Sequence, residues 1–151
     1  MFSRSTRNII ALIVFILMLN GCKKDEIEFS YVPIIEVLSV SPQNANEYSD
    51  NVIITLSYED GDGDLGENDA SVKNCFVRDS RTGVEASFRI QQLAPDNSAI
   101  PIKGTINIDL GGLGITNSSN SQSAYFTVYV YDRAGNKSNE SETQSITIRK
   151  P

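Results

Sequence analysis

The sequence predicts an all-β fold, a seven-stranded β-sandwich within residues 31–151, on three observations. From Tyr31 onward no apolar spacing of three and four residues marks out a helical face. β-branched and aromatic residues fall instead in short runs with two-residue alternation, punctuated by glycine, proline, asparagine and serine. Seven such runs fit between Ile34 and Arg149, enough for two facing sheets around one core.

The first run, Ile34 to Val40, is aliphatic and stops at Ser41-Pro42. The second, Asn51 to Tyr58, alternates Val52, Ile54, Leu56 and Tyr58 with Ile53, Thr55 and Ser57, the pattern of a half-buried strand. An acidic loop follows. Val72 to Asp79 is the third strand, Ser80-Arg81-Thr82-Gly83 a turn, and Val84 to Ile90 the returning strand of a hairpin. That returning strand places Val84, Ala86, Phe88 and Ile90 on one face. Leu93 to Pro101 is loop, with Pro95-Asp96-Asn97 as its turn. Lys103 to Leu110 puts Ile106, Ile108 and Leu110 on one face. Gly111 to Ser123, polar and rich in glycine, serine and asparagine, reads as a crossover between sheets.

Ala124 to Tyr131 directs Phe126, Val128 and Val130 to one side and Tyr125, Tyr129 and Tyr131 to the other. Tyrosines in alternation offer a stacking surface for a sugar or a protein. They are also good strand formers that fill cross-strand positions, which is the expectation adopted for them. The turn Asp132-Arg133-Ala134-Gly135-Asn136 leads to a last strand near Thr143 to Arg149.

The chemistry is concentrated in the loop after the second strand, Glu59-Asp60-Gly61-Asp62-Gly63-Asp64-Leu65-Gly66-Glu67-Asn68-Asp69. Asp60, Asp62 and Asp64 alternate with glycines, so the backbone can fold tightly and turn three carboxylates inward. Like charges a few ångströms apart repel by roughly 1 kcal/mol in water and by several in a less polar setting. A hard cation with oxygen ligands resolves that crowding, and calcium accepts irregular cages of six to eight oxygens more readily than magnesium. A calcium-binding loop is therefore expected, against the alternative of a solvated acidic turn. It is not an EF-hand. With Asp60 as its first position, the sixth is Leu65 instead of glycine and the twelfth Ser71 instead of glutamate.

Composition removes several function classes. There is no histidine, which excludes the usual general base, most zinc and copper sites and the Ser-His and Cys-His nucleophile pairs. Acidic residues outnumber basic ones by 19 to 13, a balance that disfavours nucleic acid and anionic lipid as partners. Cys75 lies in an apolar run and is expected to be a buried small hydrophobe, not a nucleophile.

Residues 1–21 carry the features of an export signal: Arg4 and Arg7, then an uninterrupted apolar run from Ile9 to Leu19. That run is about half of the ~20 residues a membrane-spanning helix needs. It ends in Leu19-Asn20-Gly21-Cys22, which resembles the bacterial lipobox. The resemblance implies that the signal is cut before Cys22, that Cys22 is acylated, and that the mature chain hangs from a membrane by this lipid. Without Arg4 and Arg7, the mature chain has 19 acidic against 11 basic residues. Residues 22–30 then form a lipidated cysteine and a flexible charged tether. Within it, Lys23-Lys24-Asp25-Glu26-Ile27-Glu28 looks like the signal that sends some lipoproteins to the outer face of the bacterial outer membrane.

A second resemblance rests on Phe126-x-Val128-x-Val130-x-Asp132-x-Ala134-Gly135-Asn136-x-Ser138. This stretch is similar to the last hairpin of bacterial immunoglobulin-like, fibronectin type III-like and cadherin-like domains. It implies an immunoglobulin-like sandwich over 31–151, without the tryptophan or disulfide of antibody domains. By the cadherin-like resemblance, Asp60, Asp62 and Asp64 are joined by Asp132, with Asn136 and Glu36 as further calcium ligands, and Glu67 of the acidic loop is one more candidate ligand. The function expected is non-enzymatic: a calcium-stabilised, lipid-anchored interaction module holding an envelope protein or a glycan. Two alternatives remain open. One is a small glycan-acting enzyme using paired carboxylates among Asp60, Asp62, Asp64, Glu67 and Asp132. The other is a purely structural envelope lipoprotein.

Overall fold

The computed structural model describes residues 29–151, so the signal segment, Cys22 and the charged run to Glu28 lie outside the described residues. The described chain is all-β. Its ten strands are β1 (Ile34–Ser41), β2 (Asn44–Asn46), β3 (Asn51–Asp60), β4 (Cys75–Asp79), β5 (Glu85–Phe88), β6 (Ile102–Gly112), β7 (Ser121–Ala124), β8 (Phe126–Val130), β9 (Ser141–Glu142) and β10 (Ile146–Arg149). They form three sheets, ordered β1-β3-β6, β2-β10-β7 and β5-β4-β8-β9. No helix of the described residues is long and apolar enough to cross a membrane.

Each of the seven predicted runs carries a strand, but the count of seven becomes ten through three short polar segments, β2, β7 and β9. These have no apolar alternation to announce them. β10 recruits β2 in parallel on one side and β7 antiparallel on the other, and β9 adds two residues to the edge of β8. Their strand character comes from satisfying backbone donors and acceptors, which needs no particular side chain. The predicted crossover after Leu110 is shortened from both ends, because β6 runs on to Gly112 and β7 begins at Ser121.

β3 organises the core. Its side chains alternate strictly, so Val52, Ile54, Leu56 and Tyr58 point inward, and the same register carries Asp60 inward next. They meet Ile35 and Val40 of β1, Ile108 of β6, Cys75 and Val77 of β4, Phe126, Val128 and Val130 of β8, and Ile146 and Ile148 of β10 in one apolar cluster. Burying each such side chain contributes about 1.5–3 kcal/mol. Truncating Leu56, which has no exposed surface, to alanine would cost about 2–5 kcal/mol. Cys75 is wholly buried there, and burial pushes its thiol up to about 12.

The tyrosines behave as cross-strand filler. Tyr129 stacks on Phe76 of the neighbouring strand at 5.2 Å between ring centres, and Tyr131 meets both rings edge-on. Lys137 sits over the Tyr129 ring at 3.9 Å. Of Tyr125, Tyr129 and Tyr131, it is Tyr125 that is exposed.

The two lateral edges differ. Along β1, side chains close the edge: Asn139 accepts from the Ile35 N–H at 2.9 Å and donates to the Ile35 carbonyl at 2.8 Å, and Ser141 Oγ accepts from Val37 N–H at 2.9 Å. At β5 and β6 the sheets end without such closure. The face shared by Val84, Ala86, Phe88 and Ile90 is therefore only partly covered. Val84 and Ala86 are exposed, because they overhang a hollow of about 290 Å³ bordered by Leu110 and Leu113, and only Phe88 and Ile90 gain cover.

Candidate metal centre

Asp60 ends β3 on the inward side and has no exposed surface. Its Oδ2 accepts the Leu65 N–H at 2.8 Å, closing the loop between them. Gly63 has φ of 72° and Gly66 φ of 94°, both in the left-handed region that favours glycine. A Cβ at Gly63 would collide with the Ile100 carbonyl oxygen, and one at Gly66 with that of Gln91. The glycines therefore let the loop fold back against the 90–101 segment while Asp60, Asp62 and Asp64 face one another. The chain entering β1 arrives at the same end, where Gly61 N–H donates to the Ser30 carbonyl at 2.7 Å.

One carboxylate oxygen each from Asp60, Asp62 and Asp64 lie within 4.8 Å of one another. Oδ1 of all three is buried and has no hydrogen-bond partner. The second oxygens of Asp60 and Asp64 are committed to backbone donors, Leu65 N–H and Ala134 N–H, the latter at 3.0 Å. Each of these two aspartates thus keeps one oxygen for the chain and turns the other into the cluster. The electrostatic cost is visible. Burial first, then the charges of Asp62 and Asp64, raise the Asp60 carboxyl to about 6 against the Leu65 hydrogen bond. Asp64 is also raised, by burial and by the charges of Asp132 and Asp62, with the Ala134 hydrogen bond acting the other way. Desolvated carboxylates facing one another through unpartnered oxygens are donors that could hold a hard metal ion.

The remaining sequence candidates have other surroundings. The 132–136 turn stands against the acidic loop: Leu65 pairs with Asp132, Arg133 N–H donates to the Asp64 carbonyl at 3.2 Å, and Arg133 Nη1 donates to the Gly66 carbonyl at 3.0 Å. Asp132 is buried beside the cluster, but both its oxygens accept from Asn136, Oδ1 from the backbone N–H at 2.7 Å and Oδ2 from Nδ2 at 2.8 Å. Glu67 turns its Oε1 to the N–H groups of Asn68 and Asp69 in its own loop. Glu36 lies on the exposed side of β1, because the inward positions there belong to Ile35 and Val37. The backbone donors at Leu65 and Ala134 were not legible in the sequence, since any residue supplies an N–H and only the fold aims it.

Comparison with protein-family models, with curated proteins and with solved structures finds no match to this chain.

Proposed function

We propose that this chain is a lipid-anchored, calcium-stabilised interaction module of the bacterial cell envelope, built on an immunoglobulin-like sandwich and without enzymatic activity. The observation that carries the calcium reading is the set of three buried, unpartnered carboxylate oxygens on Asp60, Asp62 and Asp64, with Asp60 wholly buried. An anion buried without a partner is costly, and a divalent cation removes that cost. The lipobox-like Leu19-Asn20-Gly21-Cys22 supports the anchor, and the lysine-plus-acidic run Lys23–Glu28 supports the outer membrane, exposed at the cell surface. The acidic surface supports a protein or glycan partner in preference to nucleic acid.

The central test is a calcium titration of the purified full chain in detergent, followed by calorimetry. Saturable binding that disappears in Asp62→Asn supports the site, and no heat or thermal shift in the wild type refutes it. For the anchor, Cys22→Ser should abolish fatty-acid labelling and release the chain from membranes. Retained labelling would assign the lipid elsewhere.

A further inference from the structure

Resting on the calcium reading, we infer that Asp132 is a positioning residue of the cation site and not one of its ligands. Each of its carboxylate oxygens already accepts a hydrogen bond: Oδ1 holds the Asn136 N–H at 2.7 Å and Oδ2 the Asn136 side-chain amide at 2.8 Å. These bonds clamp a turn whose backbone is also closed by Asp132 N–H to the Asn136 carbonyl and Gly135 N–H to the Asp132 carbonyl. Gly135, at φ of 87°, supplies the left-handed residue that the turn requires. The clamped turn presents two backbone donors to one aspartate. Ala134 N–H reaches Asp64 Oδ2 at 3.0 Å, and Arg133 N–H reaches the Asp64 carbonyl at 3.2 Å.

The distribution of free oxygens separates the two roles. The unpartnered buried oxygens belong to Asp60, Asp62 and Asp64, and none belongs to Asp132. Asp60, without exposed surface, is held through Oδ2 by the Leu65 N–H and not by a donor of this turn. With Oδ2 of Asp64 held by Ala134, rotation of that carboxylate is blocked and its Oδ1 stays turned to the other two. Asp132 also places a negative charge beside Asp64, which favours a cation there without touching it. Groups that orient ligands in this way typically matter for metal affinity by about 10- to 100-fold.

The test uses the full chain in detergent, with calcium for affinity and terbium(III) as a luminescent probe whose lifetimes in H₂O and D₂O count its bound waters. Asp132→Asn, which loses the acceptor for the Asn136 amide, should weaken calcium binding by about 10- to 100-fold while the bound-water count stays as in the wild type. The exchange Asp132→Asn with Asn136→Asp restores a donor–acceptor pair with its roles reversed and should recover most of the loss. Asn136→Ala, a milder change that frees a carboxylate oxygen on Asp132, should weaken binding, again with the water count unchanged. An additional bound water in Asp132→Asn with no recovery in the exchanged pair would make Asp132 a ligand. Unchanged affinity in both Asp132→Asn and Asn136→Ala would remove the positioning role. Failure of the wild-type chain to bind either cation would bring down the calcium reading itself, and this inference with it.

Discussion

Two acidic corners at opposite ends of the strands, one part-buried and one buried, solve the same problem in opposite ways. At one end, Asp79, the last residue of β4, is paired inside the chain. Arg81 donates to it through Nε at 3.0 Å and Nη2 at 2.6 Å, and Arg81 N–H adds a third bond at 2.8 Å. Arg81 Nη1 then ties the Gly114 carbonyl at 2.7 Å, and its side chain is only 5% exposed. Burial would raise the Asp79 carboxyl, yet these bonds hold it below its ordinary value. At the other end, three aspartates converge with no such partner, and Asp60 is raised to about 6. One corner carries its own cation in the sequence. The other, on the proposed reading, takes its cation from solution.

The largest effect expected from this contrast is at the self-sufficient corner. Arg81→Ala should destabilise the chain by about 3 kcal/mol, because it strands a part-buried carboxylate and the Gly114 carbonyl. Urea melts should show the loss equally in calcium and in chelator. Recovery by calcium would erase the distinction between the corners.

At the other corner the sign reverses. Asp60→Asn should stabilise the chain in chelator by about 1–3 kcal/mol, since it removes a buried charge and keeps an oxygen for Leu65 N–H. The same variant should lose the response to calcium. A destabilised Asp60→Asn in chelator would mean that the carboxylates are not in conflict.

Calcium itself should act on the wild type by about 1–2 kcal/mol at millimolar concentration, for a site of ~10⁻⁴ to 10⁻³ M affinity. That corresponds to several degrees in a domain of this size. Thermal melts in calcium and in chelator measure it.

The smallest effect is the pH profile in chelator, where the corners pull apart. The Asp60 carboxyl is raised to about 6 in the folded chain from its ordinary 3.8 in the unfolded one, so its stabilising contribution is complete below 3.8 and lost as pH rises through 6. Asp79 is lowered on folding, so its contribution is present above its unfolded value and lost as pH falls through the folded one. Stability in chelator should therefore rise on going from pH 7 to 5 and fall on stronger acidification. A fall already between pH 7 and 5 would contradict the Asp60 environment.

Much of this was legible in the sequence. Two-residue alternation through Val52, Ile54, Leu56 and Tyr58 identifies a half-buried strand, and its continuation points Asp60 inward, where it stands. The alternation of aspartate with glycine announces a tight turn that crowds carboxylates, because glycine alone accepts the backbone at Gly63 and the close approach there. Other features were hidden. Val84 and Ala86 have a core-like pattern but sit on an edge strand with nothing above them. Arg81 reads as a turn residue until its guanidinium is seen to close on Asp79 and Gly114.

By itself, the sequence determined strand positions and the local acidic loop, since both follow from side-chain alternation and backbone freedom within a few residues. The tertiary structure alone decided where β2, β7 and β9 pair, which oxygens are spent on Leu65, Ala134 and Asn136, and which remain free. Those outcomes depend on groups distant in the chain meeting at one place. Backbone donors carry no signature of the partner they will meet.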